Sequence, residues 1–179
     1  FTLVSMPYGS YATREIAVTN AVRMMKESGA DALKLQGGRE MFDIIKAVAD
    51  AGVPIMSHVG LLPHYVHRYG GFKMQGRTAQ DALAIIDNAK AIEEAGAIGL
   101  EIEAVPFEVG KAVDEAVSIF TFSIGAGAAG TCQLVSSAPR AWTCRSPVSR
   151  STRMRAVSPG VKTGYSTPTV RPASPSGQR

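Results

Sequence analysis

The chain has 179 residues, 45% hydrophobic and 19% charged, a balance that fits one globular domain and is too polar for an integral membrane protein. Its net charge of +4 averages two unlike segments: residues 1–127 carry 15 acidic and 11 basic side chains, net −4, while residues 128–179 carry 8 basic and no acidic ones, net +8. No apolar run approaches the roughly 20 residues of a spanning helix, no basic n-region with an apolar core follows Phe1, and Cys132 and Cys144 give neither a disulfide framework nor a metal pattern, so the expected location is cytoplasmic.

In chain order, short β-forming runs alternate with stretches of helical period. The predicted strands are Phe1–Val4, Ala32–Leu35, Val53–Met56, Ile98–Ile102 and Ile119–Ile124. The predicted helices are Ala12–Ser28, with Ile16, Ala17, Ala21, Met24 and Met25 on one side, then Met41–Ala51, Ala79–Ala95 and Phe107–Val117. Gly29, Gly52 and Gly96 each follow a helix and precede an apolar run, where a C′ residue with positive φ closes a helix. Strand and helix alternating at this spacing predict parallel strands with crossover helices, either doubly wound or closed into a barrel. The absence of alternation within the runs fits strands covered on both faces. No G-x-G-x-x-G follows a strand, so dinucleotide binding has no direct support.

Polar residues gather where the strands end: Ser5, Lys34 and Gln36, His58, then Glu101 and Glu103. That edge of a parallel sheet is where α/β proteins build their sites. A lysine closing an apolar strand is a candidate anion holder, although it can also simply extend to solvent. A glutamate flanked by Ile102 and Val105 is a candidate general acid or base, the solvated loop carboxylate being the alternative. Glu101 points to the same face two residues earlier; Glu103 is favoured because it precedes Val-Pro. His58, His64 and His67 fall close together, yet no carboxylate or cysteine nearby in sequence completes a zinc set. The glycine-rich loop Gly70–Arg77 could cradle an anion, seal a site or serve as a solvated connection.

Beyond Gly127 the periodicity stops, and residues 128–179, rich in Ser, Pro, Thr and Arg, form a low-complexity basic tail expected to be disordered. The abrupt change of composition is that of a frame shift in the coding sequence near Ala128. A nucleic-acid arm is not expected, since Lys and Arg do not cluster and only Trp142 and Tyr165 could stack.

Ordered motifs run through residues 1–127. Lys34-Leu35-Gln36-Gly37-Gly38, His58-Val59-Gly60-Leu61-Leu62-Pro63, Gly70-Gly71-Phe72-Lys73-Met74-Gln75-Gly76-Arg77, Glu103-Ala104-Val105-Pro106 and Ile124-Gly125-Ala126-Gly127 stand in order, preceded by Met6-Pro7-Tyr8-Gly9-Ser10-Tyr11. This series resembles the ketopantoate hydroxymethyltransferase family, over about strands three to seven of its barrel. The resemblance implies an incomplete (β/α)8 TIM barrel at residues 1–127, in which open edges and an exposed inner face are expected. It implies hydroxymethyl transfer from 5,10-methylenetetrahydrofolate to a 2-oxo acid in pantothenate biosynthesis, a homo-oligomer, and a Mg²⁺ ion that chelates the oxo acid. By the same match Glu103 is the acid/base carboxylate, and Lys34, Ser5 and His58 contact substrate. Two positions depart from the pattern: Ser5 and Gln36 stand where the family has metal-binding carboxylates. Mg²⁺ prefers anionic oxygen ligands, so Mg²⁺ binding as in the family is not expected here. A non-catalytic pseudoenzyme or subunit is one alternative; another Mg²⁺-dependent enolate-forming barrel, of the phosphoenolpyruvate mutase/isocitrate lyase type, is a second.

Overall fold

A computed structural model describes residues 1–133 and 143–144. Among them a parallel sheet runs in sequential order through β1 (Leu3–Ser5), β2 (Ala32–Lys34), β3 (Ile55–Gly60), β4 (Gly99–Glu103), β5 (Phe120–Ile124) and β6 (Cys132–Gln133), and β7 (Thr143–Cys144) adds to β6 antiparallel. Helices α1 (Arg14–Ser28), α2 (Phe42–Asp50), α3 (Ala79–Glu94) and α4 (Phe107–Ala116) make the four crossovers between β1 and β5. From β1 to β5, neighbouring strands that are also neighbours in sequence, each pair joined through a helix, give the progression of a (β/α) barrel.

Local chemistry fixes the helix ends. Thr13 caps α1 by accepting from the Ile16 amide, and Thr78 caps α3 by accepting from the Asp81 amide at 3.1 Å while donating its hydroxyl to Asp81 Oδ2 at 2.7 Å. Gly29, Gly52 and Gly96 take φ of 66°, 85° and 97°, as the αβ junctions require. On the outer face of the sheet, Leu33, Leu35, Ile55, Val59, Leu100 and Ile102 pack against buried residues of all four helices. Ile16 differs from the sequence reading: it lies 45% exposed, and α1 seats on Ala17 and Ala21 instead.

Two further departures bear on the site. The third strand begins and ends later than its apolar run, because Ser57 and His58 are buried within it; Ser57 donates its hydroxyl to the carbonyls of Leu35 and Gly37, which satisfies a polar group inside a covered strand. The sheet also continues beyond Gly127. Gly130 donates its amide to Ser123 Oγ at 2.9 Å and Thr131 to Thr121 Oγ1 at 2.8 Å, setting β6 against β5. Cys132 is disulfide-bonded and stands opposite Cys144 in the β6–β7 register. The rest of the expected disorder, and the proposed frame shift with it, lies outside the described residues.

The inner face is exposed at Ser5 and buried farther along the sheet. Met56, Phe122 and Cys132 are buried in one cluster with Leu3. These residues come from β3, β5, β6 and β1, so the sheet curves enough to bring non-adjacent strands together on its concave side. The edges are β1 and β7, each of which pairs with a strand on one side only among the described residues.

Candidate functional site

In strand register, Ser5 stands opposite Lys34, His58 opposite Glu101, and Gly60 opposite Glu103. Alternation then puts all five side chains on the concave face, near the C-terminal ends of β1 to β4. Lys34 Nζ donates to both oxygens of Glu101 at 2.8 Å. Glu101 Oε1 lies 3.5 Å from His58 Nε2, and Glu103 Oε2 lies 3.1 Å from the same nitrogen. A continuous array of charged and titratable groups results: Lys34, Glu101, His58, Glu103. His58 is fully buried, Glu101 has 6% of its side chain exposed, and Glu103, at 19%, is the carboxylate that solvent or a ligand can reach.

Neither ring nitrogen of His58 makes a hydrogen bond among the described residues. The two carboxylates are within ion-pair range of Nε2 but off the line of a ring N–H. A buried imidazole without an aligned partner is unusual, since such groups are ordinarily satisfied.

The turn after Glu103 is held from three sides. Ala104 adopts φ 48°, a left-handed conformation that costs energy for a residue with a Cβ. Its amide donates to Ile124 O at 2.8 Å, its carbonyl accepts from Gln75, and Glu103 O accepts from Leu61 at 2.8 Å. The Gly70–Arg77 loop, read from sequence as a cradle, a seal or a connection, thus docks through Gln75 on the turn that carries Glu103. Gly60, with φ 88°, allows this approach: a Cβ there would strike Glu103 O and the Val105 side chain.

Ser5 and Gln36 sit differently from the rest. Ser5 is exposed. Gln36 is buried, and its Oε1 accepts from the His64 amide at 2.9 Å. His64 Nδ1 in turn is hydrogen-bonded to the Tyr11 hydroxyl at 2.7 Å. Burial, then the nearby Lys34 and His58, hold the His64 pKa below the usual histidine value, and burial pushes the Tyr11 phenol up to about 12. Gln36 therefore clasps the loops after β1 and β3 together, and its one acceptor oxygen is already engaged. The positions at which the resemblance implies Mg²⁺ offer a neutral hydroxyl and this occupied amide. They do not fit a hard dication.

The sequence reading found no carboxylate near the histidines. The fold overturns that for His58, which meets Glu101 and Glu103; His64 and His67 fall outside this ligand group. Glu101, passed over in favour of Glu103, is the group that joins Lys34 to His58; its period-two spacing from Glu103 was the available signal. A cavity of 590 Å³ lies between α3 and the loops after β2 and β3, lined in part by Gly38, Gly60, Tyr65, Asp81 and Asn88; of the cluster, His58 alone borders it.

Residues 1–138 match the family model of ketopantoate hydroxymethyltransferase. The chain is 49% identical over 128 residues to 3-methyl-2-oxobutanoate hydroxymethyltransferase 1 of Methylibium petroleiphilum, covering 72% of this chain and 44% of that one. It is 46% identical over 127 residues to the 3-methyl-2-oxobutanoate hydroxymethyltransferase of Thermus thermophilus, covering 71% and 49%. It thus spans about half the length of the curated relatives it matches. A candidate phosphonomutase of Burkholderia cenocepacia superposes with a TM-score of 0.52 at 20% identity, over 68% of this chain and 54% of that one, a likeness of fold alone. With the family's motifs in order along a sequential parallel sheet, and with relatives approaching half identity over that stretch, the chain belongs to the ketopantoate hydroxymethyltransferase family.

Proposed function

We propose that this chain carries the oxo-acid-binding and proton-transfer portion of a 3-methyl-2-oxobutanoate hydroxymethyltransferase, acting in pantothenate biosynthesis with 5,10-methylenetetrahydrofolate as one-carbon donor. The observation that carries the reading is the Glu103 carboxylate, partly exposed at a strand end and 3.1 Å from a buried imidazole. Glu103 is the base: it takes the C3 proton of the bound oxo acid. The carbon left as an enolate forms the new bond to the donor's one-carbon unit, water supplies the hydroxyl of the resulting hydroxymethyl group, and tetrahydrofolate leaves as the donor's two carbon–nitrogen bonds break and its nitrogens take up the protons. Lys34 supplies the cation that faces the acid's oxygens, a role that requires it to share or release Glu101. Ser5, opposite Lys34 in register, supports the same end of the substrate.

The family's Mg²⁺ would polarise the oxo acid when bound, but Ser5 and Gln36 do not fit it, so no step is derived through it. This same mismatch favours a second reading, a pseudoenzyme or subunit that retains the fold and the substrate grip without turnover. The enolate-forming barrels of the phosphoenolpyruvate mutase/isocitrate lyase type remain a third, supported only by fold. Incubating the purified chain with 3-methyl-2-oxobutanoate and methylenetetrahydrofolate, with and without Mg²⁺, separates these readings. Ketopantoate formation that disappears in Glu103→Gln supports the transferase. Binding of the oxo acid without any product supports the second reading, and product that survives Glu103→Gln removes Glu103 from its role.

A further inference from the structure

We propose that His58, Glu101 and Glu103 form a divalent-cation site of their own at the ends of β3 and β4, suited to a first-row transition ion and distinct from the β1–β2 positions to which the resemblance assigns Mg²⁺. The ligand atoms of these three residues all lie within 4.8 Å of one another. More telling are the shorter separations: 3.1 Å from His58 Nε2 to Glu103 and 3.5 Å to Glu101. Donors bound to one ion at about 2.1 Å stand about 3.0 Å apart at right angles and about 3.4 Å apart at tetrahedral angles. The two histidine–carboxylate separations fall close to those values.

The second observation is independent of spacing. His58 is fully buried with both ring nitrogens lacking a hydrogen-bond partner among the described residues, although its Nε2 lies 3.1 Å from one carboxylate and 3.5 Å from the other. An imidazole lone pair held there is satisfied by a metal ion as well as by a proton. Charge points the same way. Two carboxylates face one ammonium, so the cluster carries a net negative charge when His58 is neutral. A nitrogen donor beside two oxygens suits Mn²⁺, Co²⁺ or Zn²⁺ better than Mg²⁺, which favours oxygen alone.

Lys34 is the competitor. Its ammonium now holds both Glu101 oxygens, and an ion entering the cluster must displace it from at least one. Occupancy also takes the Glu103 lone pair that would accept a proton, so bound ion and proton abstraction exclude one another. The inference goes beyond the transferase reading and is tested without substrate, so failed turnover and failed ion binding are separate results.

The test is a titration of the metal-stripped full chain with Co²⁺, followed by visible absorption and calorimetry. One ion per chain is expected, bound at least about tenfold more tightly than Mg²⁺. Affinity should fall about tenfold or more in His58→Ala and in Glu103→Gln, and rise severalfold in Lys34→Met, which removes the competing charge. Folding of each variant is checked by circular dichroism. Should a variant not fold, substoichiometric Mn²⁺ added to the unmutated chain still decides: it should broaden the ring resonances of one of the three histidines ahead of the other two. An unmutated chain that binds no Co²⁺, binding indifferent to Lys34→Met and His58→Ala, or equal broadening of all three histidines each overturns the proposal.

Discussion

Lys34 Nζ lies 2.8 Å from both oxygens of Glu101, across 67 residues of sequence, and Glu101 also approaches His58. The pair joins β2 to β4 over the top of β3, binding the site together as well as the sheet. With 16% and 6% of their side chains exposed, both partners have lost most of their hydration. The charges are stable there because each compensates the other.

Removing one partner should therefore cost more than the pair contributes. Lys34→Met leaves Glu101 buried without a cation and is expected to lower unfolding free energy by about 3 kcal/mol. The double variant Lys34→Met/Glu101→Leu should recover most of that loss, since no unpaired charge remains. Urea midpoints of the two single variants and the double variant measure the coupling; additive losses would mean that the ion pair is not the source of the cost.

Gly60→Ala should be among the most damaging small substitutions. The added methyl meets the Glu103 carbonyl at a backbone φ of 88°, so both space and conformation oppose it. A loss of about 2 kcal/mol or more is expected, together with weaker protection of the Leu61 amide that donates to Glu103 O. Hydrogen exchange at Leu61 distinguishes this local mechanism from general destabilisation.

Tyr11 and His64 set opposite pH limits on the clasp that holds Gln36. The folded chain keeps the Tyr11 proton to about pH 12, whereas an unfolded tyrosine loses it near pH 10. Between those values the unfolded state binds fewer protons, so stability falls as pH rises, by at most about 3 kcal/mol for this group. Tyr65 and Tyr69 are also pushed up by burial and act in the same direction. The contribution of Tyr11 is thus the difference between the unmutated chain and Tyr11→Phe, which should lose less stability over that window. His64, whose folded pKa is depressed, acts at the other end: as pH falls below about 6.5 the unfolded state takes up the proton first, and stability declines. His64→Gln should flatten the acid side of the profile.

Ser5→Asp combined with Gln36→Glu should create Mg²⁺ affinity. Each substitution places a carboxylate beside the strand ends where a neutral oxygen now stands, and a Glu at 36 can still accept from the His64 amide. A carboxylate–dication contact is worth on the order of several kcal/mol before desolvation, so binding at least about tenfold tighter than in the unmutated chain is expected by calorimetry. Unchanged Mg²⁺ affinity would show that charge at these two positions is not what limits the metal.

Several things were determined by the sequence alone. Three helix-ending glycines, each followed by an apolar run, fixed the αβ junctions, and five runs fixed the parallel strands between Leu3 and Ile124, because capping and hydrophobic periodicity are local. The position of polar residues at the ends of parallel strands put Lys34, His58 and Glu103 on one rim, and period two put Glu101 on the same face as Glu103. Only the tertiary structure decided that Glu101 is the link between Lys34 and His58, that Gln36 closes a clasp with His64 and Tyr11, and that β3 runs on through two polar residues to Gly60. Those outcomes depend on partners far apart in the chain and on burial that cancels or exposes charge, which local spacing does not encode.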